Sequence, residues 1–267
     1  MTTLSTAMAE YGRFAPFFRN LVKREVRQKY KGSLFGLIWT MVTPALIVAS
    51  YWLVFTYVFK AVTIPNYALF LFTGLVVWTF FFGGAQVASS SIVSNANLVK
   101  KVRFPREIVP VSAILANGFT AGAMFVIALP LCLIANQGSY LPLVVLPVFV
   151  VFLAFLTVGF GLALAGANVY FRDVEHIMAA IGVPWFFITP IFYTFDTLPN
   201  PVHGWLSNAL YYGNPITPFL SSIREIMFFG GWPGLGDWIY CGVGGVLVLV
   251  VGMRLFRRLE REMAVEL

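Results

Sequence analysis

Several stretches of this sequence run for twenty or more residues with almost no charged side chain, and that property decides the solvent in which the chain folds. A helix needs about 20 apolar residues to cross a hydrocarbon layer about 30 Å thick. Five runs meet that length: Leu34–Phe59, Tyr67–Ala88, Ile108–Ala135, Leu141–Val169 and Leu235–Phe256. Only 11% of the 267 residues are charged and 59% are hydrophobic. A soluble domain carries roughly a quarter charged residues, so lipid must surround most of this chain. Lipid offers the backbone no hydrogen bonds, so spans made of single apolar runs must be helices. The expected fold class is an all-α polytopic membrane protein.

The region His176–Trp232 is apolar but broken by prolines, among them Pro184, Pro190, Pro199, Pro201, Pro215 and Pro218. We read it as a span over His176–Phe195, then a re-entrant segment over residues 196–234 that dips in and returns to the same side. Irregular backbone at membrane depth is tolerated only where protein or a water-filled cavity covers it. The expectation is therefore six transmembrane helices in a single domain, residues 1–267.

Charge gives the orientation. With both termini in the cytoplasm, a six-span topology leaves only Lys60 and Arg224, of 18 lysines and arginines, outside or re-entrant. A five- or seven-span topology puts the last basic cluster on the wrong side. The net charge of +7 sits at the ends of the apolar runs rather than on one face, which excludes nucleic acid as a partner. Residues 13–31 have their own period. Phe14, Phe17, Phe18, Leu21, Val22, Val26 and Tyr30 recur at helical spacing, with Arg19, Lys23, Arg24, Arg27 and Lys31 on the other faces. This predicts an amphipathic helix lying in the membrane interface, its rings in the acyl boundary. The alternative is a basic tail that only sets topology. The first 33 residues lack a continuous apolar core, so the first span is expected to serve as the insertion signal.

Between the second and third runs lies a short cationic island, residues 94–106, with room for a brief helix ended by Pro105. Such a connection belongs on the cytoplasmic side and is suited to docking a soluble partner. A partner is needed, because the chain has no phosphate-binding glycine loop for ATP. The five clear spans also hold essentially no ionisable group in their cores, which argues against coupling to protons or sodium. Arg224 and Glu225 are the exception, and are expected to snorkel to the outer interface rather than to touch a substrate.

Other features have ordinary readings. Asp173, Glu175 and His176 follow Arg172 at a helix start, where carboxylates complement the helix dipole, and no metal or catalytic site is read there. Cys132 and Cys241 are read as packing thiols, with a disulfide as the alternative. Trp185, Phe186, Phe192 and Tyr193 crowd the fifth span. Aromatics of this kind usually form an interfacial belt, and the functional alternative is a path for sugars, whose ring faces pack on aromatic rings. Gly118-x-x-x-Gly122 permits close helix contact.

Three segments carry a family resemblance: Arg24-Glu-Val-Arg-Gln-Lys-Tyr-Lys-Gly-Ser-Leu-Phe-Gly-Leu-Ile-Trp39, Asn97-Leu-Val-Lys-Lys-Val-Arg-Phe-Pro-Arg-Glu-Ile-Val-Pro110, and Tyr170-Phe-Arg-Asp-Val174 followed by Thr189-Pro-Ile-Phe-Tyr193 and Asn214-Pro-Ile216. In that order they resemble the membrane subunit of ABC-2 type exporters, more narrowly those exporting teichoic acid and O-antigen. The resemblance implies a homodimeric permease, each half docked to a separate nucleotide-binding ATPase that carries ATP and Mg, with no cofactor in this chain. It makes residues 94–106 the coupling helix, with Asn97, Lys100, Lys101, Arg103, Phe104, Pro105 and Arg106 at the ATPase contact. The implied cargo is a glycan on undecaprenyl diphosphate crossing the bacterial cytoplasmic membrane. Lys29, Lys31 and Arg172 are then candidates to receive the diphosphate, and Trp185, Phe186, Phe192 and Tyr193 candidates to line the path. The alternatives are an exporter of a drug or simple lipid, and, from a different class, a membrane-embedded enzyme acting on lipid-linked sugars. The enzyme has only Asp196, Glu225 and Asp237 as outer carboxylates.

Overall fold

A computed structural model describes residues 4–31, 38–58, 64–102, 104–135, 138–195, 204–260 and 263, and the regular elements among them are all helical. Residues 32–36, Lys60, Arg103, Asp196 with the rest of 196–203, and Arg261 lie outside the described residues. Helix α1 is Leu4–Tyr30, and α2 is Trp39–Leu53, continued by a wider π turn over Val54–Val58. Then come α3 (Tyr67–Ser94), α4 (Ala96–Lys101), α5 (Ile108–Ala135) and α6 (Leu141–Tyr170, its first turn a 3₁₀ turn). They are followed by α7 (Asp173–Ile188), α8 (Gly204–Gly213), α9 (Thr217–Arg224, extended by a π turn over Glu225–Phe229) and α10 (Leu235–Glu260).

Four of these, α3, α5, α6 and α10, are long and apolar enough to cross a membrane, and the apolar part of α2, Met41–Tyr57, is shorter. The fifth expected span is also shorter than its apolar run. Helix α7 has 16 residues, which reach about 24 Å at 1.5 Å per residue. It stops at Ile188 because Thr189 precedes Pro190, and a residue before proline is pushed out of the helical region. Thr189 accordingly sits at φ −74°, ψ 133°. After the undescribed residues 196–203 come α8 and α9, and α9 packs against α3.

The most extensive helix pairing is α10 along α6. It depends on two glycines: a methyl group on Gly252 would overlap the Gly159 carbonyl, and one on Gly159 would meet the Val248 carbonyl. The backbones of the two helices therefore touch. Gly118-x-x-x-Gly122 does no comparable work, since Gly118 abuts the Phe80 ring and Gly122 faces open space.

Two apolar clusters fill the bundle. The larger includes Phe70, Phe81, Met124, Phe149, Ile191 and Phe219, and both Cys132 and Cys241 are buried in it as free thiols. The smaller joins Leu21 of α1, Ile92 of α3, Val99 of α4, Ile108 of α5, Val169 of α6 and Phe256 of α10. The basic segments expected on one side of the membrane thus gather at one end of the bundle, here called the island end. Part of the apolar stripe of α1 meets protein: Leu21 is buried and the Phe17 ring lies 5.0 Å from Phe104, while Phe14, Phe17 and Phe18 stay partly exposed.

Arg224 departs from expectation, because it does not snorkel. It is only 3% exposed and lies inside the larger cluster, with its guanidinium carbon 3.7 Å above the Phe70 ring. Its Nη1 donates to the Pro190 carbonyl at 2.8 Å, and Nη2 to the Ile191 carbonyl at 3.1 Å and the Phe70 carbonyl at 3.4 Å. The Pro190 and Ile191 carbonyls are freed by the break after α7, while that of Phe70, inside α3, also accepts from the Thr73 hydroxyl at 2.8 Å. A side chain with a fixed fork of donors is suited to satisfying several of them at once. Gly74 makes the room, since a methyl group there would overlap Nη2. Replacing Arg224 by Ala takes the guanidinium donors from the Pro190 and Ile191 carbonyls and opens a cavity, and should cost roughly 2–4 kcal/mol. Thermal unfolding of the detergent-solubilised protein would report it, and an unchanged transition for Arg224→Ala would contradict the assignment.

Candidate functional site

The island is built from the end of α3 onward. Asn95 leaves helical geometry at φ −108°, ψ 23°, and its side-chain Nδ2 donates to the Ser91 carbonyl at 2.9 Å, closing α3. Its own carbonyl accepts from the Leu98 and Val99 amides at 2.9 and 3.1 Å, opening α4. One residue thus ends one helix and begins the next. Arg24 of α1 donates to Asn95 Oδ1 and pairs with Glu25 at 2.8 Å. Helix α4 ends where Val102 turns extended, ahead of Pro105.

With six residues, α4 has one edge in and one edge out. Val99 is buried at 3% exposure, whereas Asn97, Lys100 and Lys101 are exposed. Phe104 and Arg106 point the other way. The Phe104 ring packs on Phe17, and Arg106 Nη1 donates to the Glu260 carbonyl at the end of α10, at 2.6 Å. The Arg106 amide also faces Glu260 Oε1 at 3.3 Å, and Glu107 accepts from Arg257 of α10 at 3.0 Å. The sequence candidates therefore divide into an outward set, Asn97, Lys100 and Lys101, and an inward set, Phe104 and Arg106, with Pro105 half-buried between the sets. Each Arg–Glu contact joins the start of α5 to the end of α10. Carboxylates near a helix N-terminus and guanidinium groups near a C-terminus are also what the helix dipoles favour.

The cations considered for a diphosphate do not form one site. Lys29 Nζ donates to Thr120 Oγ1 at 2.8 Å and reaches Asn117 Oδ1 at 3.5 Å, both on α5. Burial of the ammonium against α5 lowers its pKa. Asn117 in turn donates from Nδ2 to the Thr79 carbonyl at 2.8 Å, at the π turn of α3 over Thr79–Gly83. Lys31 is exposed beside a groove of α1 lined by Lys23, Arg24 and Arg27. Arg172 is exposed at the corner between α6 and α7, and no hydrogen bond or ion pair among the described residues links it to Lys29 or Lys31.

The aromatic candidates divide as well. Trp185 sits edge-on to Phe81 and Phe160 at 5.6 and 5.9 Å, and its Nε1 donates to Asn214 Oδ1 at 2.9 Å. Asn214 Nδ2 passes a hydrogen bond to Thr189 Oγ1 at 3.0 Å, tying the returning segment to the end of α7. Phe192 is buried, 5.6 Å from Phe55 and 4.6 Å from Tyr51. Phe186 is half-buried, 5.3 Å from Trp78. Tyr193 alone of the four borders a large cavity, about 730 Å³, shared with Phe195, Tyr211, Tyr212 and Glu225.

Sequence reasoning missed Asn95, Glu107, Arg257 and Glu260 as a set. A signal was present: Glu107 and Glu260 are acids embedded in the two basic segments that need positive charge for topology.

The family model described as ABC-2 type transporter matches residues 16–228. The O-antigen export system permease protein RfbA of Myxococcus xanthus is 31% identical over 249 residues, covering 92% of this chain and 93% of that protein. A Klebsiella pneumoniae protein of the same name is 29% identical over 249 residues, covering 91% and 92%. The polysialic acid transport protein KpsM of Escherichia coli is 21% identical over 250 residues, covering 91% and 93%. With a match that runs from α1 through α9 and long apolar helices to carry it, this multi-pass membrane chain belongs to the ABC-2 type transporter family, as a transport subunit rather than an enzyme.

Proposed function

We propose that this chain is the permease half of an ATP-driven exporter that moves a lipid-linked polysaccharide across the bacterial cytoplasmic membrane. The names of its relatives, O-antigen and polysialic acid export proteins, support a polysaccharide cargo. The carrier in this reading is undecaprenyl diphosphate, and two copies of the chain enclose the path. Six spans arise when α2 and α7, with its returning segment, join the four long helices. The island end then faces the cytoplasm with both termini, which the density of Lys and Arg there supports. ATP and Mg belong to a separate nucleotide-binding subunit. All three candidate cations are exposed, but Lys29 donates to Thr120 of α5, which leaves Lys31 and Arg172 to meet a diphosphate. Trp185, Phe186 and Tyr193 are the path candidates that stay partly exposed, and Tyr193 is the one that borders the cavity.

The observation that carries the docking assignment is the two-sidedness of α4. Its Asn97–Lys100–Lys101 edge is exposed while Val99 and the flanking Phe104 and Arg106 hold it to three other helices. A cationic edge on a rigid seat suits an acidic cleft in a partner, where charge sets specificity and speed of association.

Reversing both charges with Lys100→Glu and Lys101→Glu should lower retention of the ATPase subunit in affinity purification at least tenfold, which corresponds to about 1.4 kcal/mol. Membrane insertion should be unchanged. Full retention and normal export by the double variant would contradict the docking assignment. For the cargo, depletion of this chain should make lipid-linked glycan accumulate on the inner leaflet, measured by extraction and glycan labelling. Unaltered surface glycan after depletion would contradict the polysaccharide assignment and favour a drug or simple lipid.

A further inference from the structure

Two Arg–Glu contacts cross between the same pair of helix ends in opposite directions. Arg106, just before α5, gives its guanidinium to the Glu260 carbonyl at 2.6 Å, and its amide faces the Glu260 carboxylate at 3.3 Å. Glu107, the next residue, receives Arg257 at 3.0 Å. The Glu107 side chain is only 10% exposed, and its sequence neighbours Ile108 and Val109, like Phe256 beside Arg257, belong to the smaller buried cluster. A third attachment comes from α6, whose Tyr170 hydroxyl donates to the Leu259 carbonyl at 2.6 Å. The end of α10 is therefore clasped from one side by the island's exit and from the other by α6. Above the clasp, α6 and α10 cannot slide apart freely, because their backbones touch at Gly159 and Gly252.

The connectivity matters for how a push on α4 spreads. Covalently, α4 leads to α3 through Asn95 and to α5 through residues 102–107. It has no covalent route to α6 or α10 except through the full length of α5. The pair α6–α10 is thus reached from the island in two ways, by the apolar packing of the end of α3 on α6 and by the clasp. Among the described residues only the clasp ties the α10 end by polar contacts, at residues that stand adjacent to α4 but do not share its exposed edge.

We propose that the Glu107–Arg257 and Arg106–Glu260 contacts are the polar link through which displacement of α4 is passed to the end of α10, and with it to the α6–α10 pair, with Glu107 and Arg257 acting as positioning residues for coupling rather than as ATPase contacts. This rests on the reading of α4 as the ATPase seat. An ion pair with one buried carboxylate suits such a link. Parting the two ends would draw the guanidinium away from a carboxylate that is only 10% exposed, which costs more than parting an exposed pair, so the two helix ends move together.

The test uses the complex of this chain with its ATPase subunit, reconstituted in lipid nanodiscs for ATP turnover and expressed in cells for export. Glu107→Arg and Arg257→Glu singly should keep the ATPase bound at wild-type stoichiometry and continue to hydrolyse ATP, while export falls at least about tenfold. The combined swap, Glu107→Arg with Arg257→Glu, should restore export to at least half of wild type. Glu107→Gln, which keeps the shape and removes the charge, should give an intermediate loss and guards against misfolding of the reversal variants. Wild-type export by the single variants, or no rescue by the swap when the protein is folded, would overturn the proposal. Loss of bound ATPase in the single variants would also overturn it, by making the clasp a support for docking alone. The docking reading is tested separately by Lys100→Glu with Lys101→Glu. If that variant keeps its ATPase, the docking reading fails whatever the clasp variants do.

Discussion

A polar or charged group held away from water has to find its partner inside the protein, and the architecture of this chain follows from how it meets that demand. Lipid supplies no hydrogen bonds, so an interrupted helix must have its loose carbonyls collected by another element. Arg224 does this beyond the end of α7, taking the Pro190 and Ile191 carbonyls together with that of Phe70. Asn117 does it at the π turn of α3, and Lys29 closes that group from α1. At the island end Arg106 does it for the last turn of α10. In each case a side chain distant in sequence completes a helix, and the same contact fixes how two helices meet.

The two ends of the bundle differ in consequence. Around Arg224 the polar contacts hold a returning segment against α3, with Trp185, Asn214 and Thr189 forming a second tie. At the island end the contacts leave one narrow edge, Asn97, Lys100 and Lys101, facing out while the rest of the loop is held to α1, α5 and α10. A seat that is exposed on one edge and fixed on the other can receive a partner without losing the force the partner applies.

Much of this was legible in the sequence. Apolar run length located α3, α5, α6 and α10 to within a few residues, because burial in lipid is a property of composition over twenty residues. Thr189-Pro190 carried a local signal for the end of α7 at Ile188, but the apolar run led the reading of that span on to Phe195. The fate of Arg224 was not legible. Snorkelling and internal pairing demand the same residue type at the same depth, and the choice rests on Gly74 leaving space on a helix 150 residues away. The division of the island was equally hidden. Period and charge predict a short cationic helix, but which cations face inward depends on where Glu260 lies, and that is set by the α6–α10 contact at Gly159 and Gly252. For the same reason the sequence could not show that the Trp185 ring meets Phe81 and Phe160, or that Phe192 meets Phe55 and Tyr51.

The central claim is that the Asn97–Lys101 edge is a rigid, cytoplasm-facing seat covered by the ATPase. It is tested most directly by labelling Asn97→Cys with a membrane-impermeant maleimide, against the low background expected from Cys132 and Cys241, both buried. The account predicts rapid labelling in inside-out membrane vesicles stripped of the ATPase, strong protection when the subunit is restored, and no labelling from the outer face of intact cells. Labelling from the outer face, or equal labelling with and without the ATPase, would contradict it.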